Sequence, residues 1–473
     1  MPKPAARLVE GPILKSLLAL AVPIALANIL QAAYQLIDAF WVGRLGANAV
    51  AAVSVSTPVM FLTIGLGAGM AIAGSTLIAQ YFGARNQEMV DHVAAQTLLM
   101  IVLISVVLGG LGFAFAPTLL RLMGVTPEVF SGALGFMRVS FVGLVFNFFF
   151  FMFQSIMRGV GEAKMPVFIV LGTVILNFLL DPPLIFGWGP IPALGVMGAA
   201  VATVCTQSIA AAIGMGFLLK GSHGVHLAWR DFVPDVVYIK RAFFLGFPAS
   251  VEQSARALGL TVLTFLIASF GTITTASFGV GSTILQVVMI PAMGLAMAVS
   301  ALVGQNIGAG NIDRAARIGR LGAWLGFGVL SALGVVAFFS APQLVAFFVP
   351  KDPDVIAEGA TFVRIMALSW GFLGAQFSLT GVLRASGNMV STMMLTLISQ
   401  WVLQFPLAYV LSTHTPLGNR GIWWAIPIAN VLIVLITLGV YAKGDWKRTK
   451  LMTPEDVVAV DVSNEILADE GTR

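Results

Sequence analysis

Charge is what this sequence has least of: Asp, Glu, Lys and Arg together make up 10% of its 473 residues, while 58% are apolar. A soluble domain carries about 25% charged residues, so a water-solvated globule is excluded and lipid is the natural solvent. Cysteine is all but absent. Cys205 lies alone in a long apolar run, which rules out a disulfide framework and a cysteine-based metal site. Histidine is scarce as well, and none of His92, His223, His226 and His414 sits in mid-span beside an acid or a serine pattern. Neither a metal pair nor a hydrolytic triad is visible, which leaves an intramembrane enzyme without support. A dense basic patch is also missing. The net charge of +5 is spread over residues at the ends of apolar segments, the bias of cytoplasmic loops and not a nucleic-acid surface.

What is present is a succession of long apolar runs bounded by Gly, Pro and charge, and the pattern predicts an all-α integral membrane protein of about twelve spans. They fall near 14–42, 49–80, 90–117, 129–157, 165–187, 193–219, 241–270, 274–306, 316–349, 356–384, 391–412 and 420–442. The first run continues well past the length of a signal-peptide core and is read as a membrane helix. Fifty glycines in this background suit helices that approach one another closely, since packing in lipid relies on small residues at the contacts. With the N-terminus inside, nearly all basic residues fall on one side, and only Arg44, Arg121, Lys351 and Arg420 lie on the other. Both termini are therefore expected to be cytoplasmic, in the plasma membrane of a prokaryote or the inner membrane of a Gram-negative cell. The expected division is a six-helix half at 1–219, a cytoplasmic linker at 220–240, a second six-helix half at 241–442 and a cytoplasmic tail at 443–473.

A repeat supports the two halves. Shifting the chain by 225 residues superposes Pro23 on Pro248, Gly46 on Gly271, Ser75 on Ser300, Gln80 on Gln305, Gly83 on Gly308 and Asn86 on Asn311, so that AQYFGARN at 79–86 mirrors GQNIGAGN at 304–311. Further on, GVMG at 195–198 mirrors GNRG at 418–421 with almost the same offset. Six spans per copy bring both halves in from the same side. They are then related by an axis along the membrane normal around a central cavity, an architecture suited to alternating access.

Ionisable residues inside spans are the default functional candidates, since each costs at least ~2.5–3.5 kcal/mol near a helix centre. Asp38 ends the first span and Asp181 lies near the end of the fifth, both roughly 6–9 Å below the outer surface at about 1.5 Å per residue. Tyr34 precedes Asp38 by one turn, and Asn177 precedes Asp181 by one turn, so each acid has a polar neighbour on its own face. The second half lacks this feature: the offset puts Leu263 at the position of Asp38, and Phe405 at that of Asp181. Two acids in one cavity of low polarity can take up a proton together, and one charge crossing the membrane is worth ~2.3 kcal/mol per 100 mV. The bland alternative is a pair of outer-end carboxylates that reach water. Glu252 and Arg256 stand one turn apart on the seventh span and suggest an intrahelical ion pair on a cavity wall. Pro23 removes an amide in the first span and predicts a bend there. Met289, Met293 and Met297 share a face of the eighth span, and Gln154 follows the aromatic run FNFFFFMF at 146–153. Such walls suit greasy, variable ligands, or serve packing alone.

Several stretches resemble the multidrug and toxic compound extrusion (MATE) family in order and spacing. They are DAFWVGRLGANAVAAVSVSTPV at 38–59, GLGAGMAIAGSTLIAQYFGARN at 65–86, MRGVGEAKMP at 157–166, NFLLDPPLIFG at 177–187 and GVMGAAVAT at 195–203. Among its branches the chain looks like the DNA-damage-inducible F proteins. The resemblance implies an antiporter that exports small cationic or amphipathic organic compounds in exchange for protons or sodium; no cofactor is expected, and the chain is expected to act as a monomer. It further implies that Tyr34, Asp38, Asn177, Asp181 and Thr203 form a first-half cation site, in which Asp38, Asp181 and Asn177 would hold the metal if the ion is sodium. The branch with extra second-half acids has one on the tenth span, whereas residues 356–384 contain only Glu358, at the edge. That departure favours protons. A flippase for a lipid-like substrate is the rival reading, although the only basic candidates for its cavity are Arg138, Arg256 and Arg364.

Overall fold

A computed structural model describes residues 8–221, 223–448 and 451, and most of the tail expected at 443–473 lies outside them. Among the described residues the chain is helical and without a strand. It runs through α1 (Ile13–Gly43), α2 (Ala47–Gly83), α3 (Gln87–Leu122), α4 (Pro127–Gly159), α5 (Lys164–Phe186), α6 (Val196–Lys220), α7 (Val236–Ala268), α8 (Thr272–Gly308) and α9 (Ile312–Phe348). There follow α10 (Pro353–Ala367), α11 (Trp370–Ala385), α12 (Met389–Leu397), a π-helical stretch Ile398–Gln404, α13 (Phe405–Thr413) and α14 (Asn419–Lys443). Among the described residues eleven helical segments are long and apolar enough to cross a membrane, with α12 to α13 counted as one, and the bent pair α10 and α11, taken as one span, makes twelve.

The tenth span differs from the uninterrupted run expected at 356–384. It bends by 50° between α10 and α11, and no proline lies inside either piece. Ser369 stands at the break. Its hydroxyl donates to the Met366 carbonyl at 3.0 Å and accepts from Asn430 Nδ2 at 3.1 Å, so a side chain inserted into the ladder accounts for the bend.

The repeat found in the sequence recurs in the backbone. Arg85 and Gly310, equivalent under the 225-residue shift, both take positive φ, at 60° and 76°. Each is followed by an asparagine whose amide returns to an equivalent carbonyl, Asn86 to Tyr81 at 3.1 Å and Asn311 to Asn306 at 2.8 Å. Gly46 and Gly271 likewise match, at φ 103° and 98°. The left-handed region disfavours side chains, so the turn itself, and not a ligand, accounts for glycine at these points.

Contacts divide the chain into two compact units, one of Leu26–Phe82 with Asn86–Ser250, the other of the residues up to Ala25, Gly83–Arg85 and the chain from Val251 onward. The division cuts α1 after Ala25 and α7 after Ser250, each two residues beyond its proline. The start of α1 packs in the second unit, where a Cβ on Gly294 would meet Ala25 at 2.9 Å. The start of α7 packs in the first, where a Cβ on Gly69 would meet the backbone of Ser250.

Each unit has its own apolar core. In the first, Val42, Leu120, Met137, Phe141 and Ile185 are buried together. In the second, Ile267, Phe362, Trp370, Trp423 and Ile426 are. Small residues bring the second unit's helices close: Gly326 of α9 and Gly374 of α11 lie backbone to backbone, and Ser378 Oγ donates to the Gly322 carbonyl at 2.9 Å. The segment before α7 is held as well. Gln96 Nε2 donates to the carbonyls of Asp231 and Val233, both at 2.8 Å, and its Oε1 accepts from the Asp235 amide.

Candidate functional site

Helices α1, α5 and α6 converge within the first unit and bring Tyr34, Asp38, Asn177, Asp181 and Thr203 into one cluster. The amide of Asn177 bridges the acids: its Nδ2 donates to Asp38 Oδ1 at 3.1 Å and to Asp181 Oδ1 at 3.0 Å. Thr203 Oγ1 donates to the other oxygen of Asp38 at 3.4 Å. Asn177 and Asp181 are fully buried, whereas Asp38 is half-buried. Two acceptors in this cluster, Asn177 Oδ1 and Asp181 Oδ2, are buried with no donor among the described residues. Unsatisfied buried oxygens are costly, and a group of acceptors around two carboxyls fits a proton or a small cation.

Tyr34 shares the face of Asp38, as its spacing predicts, but its hydroxyl meets Thr206 at 2.7 Å. Thr206 in turn donates to the Thr203 carbonyl at 2.9 Å, so the tyrosine reaches the acids through α6. Thr206 was not singled out from the sequence, though its place one turn beyond Thr203 puts both on one helix face.

The second unit holds a different cluster. Glu252 is fully buried, and one of its oxygens accepts from Arg256 Nη2 at 3.1 Å, Arg384 Nη2 at 2.6 Å and Thr396 Oγ1 at 3.1 Å. The expected intrahelical pair of Glu252 and Arg256 is therefore present, with a second arginine added. Arg384 sits in the last turn of α11, where its position in the sequence reads only as a flanking cation.

Other candidates fall apart in space. Arg256 and Met289 line a cavity of about 280 Å³ in the second unit, together with Phe377, Gln400 and Asn430. Met293 is exposed and is not among its lining residues. Gln154 is half-buried on α4. Arg138 lies over the Phe113 ring at 4.8 Å, and Arg364 Nε donates to the Phe338 carbonyl at 3.2 Å. Helix α1 runs unbroken through Pro23. Glu358, at the edge of the tenth span, accepts from Trp423 Nε1 at 2.7 Å and Asn419 Nδ2 at 2.8 Å, which ties α10 to α14.

Comparison with known proteins agrees with this anatomy. The MatE family model matches residues 23–182 and again 248–410, and the two matches begin at Pro23 and Pro248. A protein of Bacillus subtilis named "Probable multidrug resistance protein YoeA" is 30% identical over 434 residues, covering 91% of this chain and 93% of that protein. A "FAD transporter" of Shewanella oneidensis is 27% identical over 427 residues, covering 90% and 94%. In fold, the crystal structure of a MATE in complex with MaL6 superposes with a TM-score of 0.87 at 24% identity, over 97% of this chain and 99% of that one.

Proposed function

We propose that this chain, which belongs to the MatE family of membrane transporters, exports small organic compounds by antiport and draws the driving force from a cation bound at Asp38 and Asp181. The observation that carries the reading is the bridge made by Asn177 between two carboxyls inside the membrane. Two acids in contact with one amide repel each other when both are ionised. A proton or a sodium ion relieves that repulsion, and its loss restores it, so occupancy is tied to the conformation of α1 and α5. The absence of a further acid on the tenth span other than Glu358 favours the proton. The named relatives support small organic substrates, from multidrug resistance to flavin dinucleotide transport, and thus a range wider than cations. The six-span halves then act as the moving bodies, with both termini cytoplasmic in a prokaryotic plasma membrane.

The test is transport by purified protein in vesicles, with pH and sodium gradients imposed separately. A pH gradient alone should drive movement of an organic dye, and Asp38→Asn should remove the response. Full transport by Asp38→Asn, or a response to sodium with none to protons, would overturn the proton-coupled reading.

A further inference from the structure

The cavity in the second unit carries a chemistry opposite to that of the acid cluster. Arg256 is its one ionisable lining residue among the described residues. Its side chain is 38% exposed, whereas Glu252, which it meets at 3.1 Å, is fully buried behind it. The same Glu252 oxygen also accepts from Arg384 at 2.6 Å. The acid is thus shared and hidden, and the guanidinium is the charge the cavity presents. Arg256 Nη2 also donates to Thr396 Oγ1 at 3.4 Å, but two arginines on one carboxylate leave the cluster net positive, and charges within spans pair with opposite ones.

The rest of the wall is shaped for a ligand. Phe377 lies 5.5 Å from the Arg256 guanidinium and provides an aromatic side. Gln376, on the same wall, has a buried carbonyl oxygen with no donor among the described residues. Ser399, Gln400 and Gln404 come from the π-helical stretch Ile398–Gln404, a wide turn of a kind frequent at functional sites. At about 280 Å³ the space lies just below the usual range for organic ligands, about 300–1,000 Å³, and suits a small one.

We propose that this cavity binds small aromatic acids, with a carboxylate on Arg256, the ring beside Phe377 and a hydroxyl or N–H of the ligand on the Gln376 oxygen. The inference rests on the transport reading only in taking such acids as cargo; binding itself can be measured apart from transport.

The probe is 6-hydroxy-2-naphthoate, set against the aminomethyl analogue that carries a cation in place of the carboxylate, with the full chain in lipid nanodiscs and calorimetry as the readout. The acid should bind at least about tenfold more tightly than the cation. Arg256→Gln should weaken the acid by about tenfold or more, Arg256→Lys should retain part of the binding, and Met289→Trp, which fills the space and leaves the guanidinium in place, should weaken both probes. Asp38→Asn should bind the acid as the wild type does, so a failure of coupling is told apart from a failure of this site. Equal or tighter binding of the cation, or acid binding unchanged in both Arg256→Gln and Met289→Trp, would overturn the proposal.

Discussion

The first half sets two acids against one amide, and the second sets one acid against two arginines. Both clusters lie in spans of one duplicated scaffold, and the turns at Arg85 and Gly310 show how closely its backbone is kept. The repeat places Ala27 and Gln31 at the positions of Glu252 and Arg256, and Leu263 at that of Asp38. Duplication therefore accounts for the scaffold and for neither cluster. The first is rich in acceptors and can gain or lose a small cation. In the second, three donors meet one oxygen of Glu252, two of them from arginines, so its charge is offset within the protein although its other oxygen has no donor among the described residues. On the proposed reading, exchange of ions belongs to the former, while the latter pairs Glu252 and leaves Arg256 facing the cavity.

Substitution of Glu252 should have the largest effect on the fold. Glu252→Gln leaves Arg256 and Arg384 without their shared carboxylate, a loss expected to cost about 3–5 kcal/mol and read as a fall in unfolding temperature in detergent. Asp38→Asn should leave that temperature nearly unchanged and lower gradient-driven transport by about a hundredfold, equivalent to ~2.7 kcal/mol. If the two substitutions gave the same pattern, the contrast between the halves would fail. Next come the prolines at the ends of the exchanged helical segments. Pro23→Ala and Pro248→Ala each restore a helical amide and should slow transport severalfold while raising stability, as measured by turnover and thermal unfolding together. Thr203→Val removes a single 3.4 Å hydrogen bond and should have the smallest effect, about 1 kcal/mol on the concentration of cation that half-activates transport.

Much of this was legible in the sequence because lipid leaves a strong record. Apolar length gave the spans to within a few residues, and the conformational demands of Gly46 and Gly271 helped keep the repeat in register. Helical spacing put Asn177 beside Asp181 and Arg256 beside Glu252. Contacts between helices were harder to read. Nothing local to Arg384 shows that it turns onto Glu252, 132 residues away, and Thr206 gains its meaning only when Tyr34 of α1 meets it. The bend at Ser369 was hidden for a different reason: no proline or charge marks it, and its partner, Asn430, lies on α14. Alternation of apolar residues reports which face is buried but not what it is buried against.

The central claim, that the coupling cation binds in the first half, is tested most directly by charge movement after a pH jump on vesicles fixed to a solid support. Wild type and Arg256→Gln should both give a transient current, and Asp38→Asn and Asp181→Asn should give none. A current that persists in both aspartate variants and vanishes in Arg256→Gln would contradict the account.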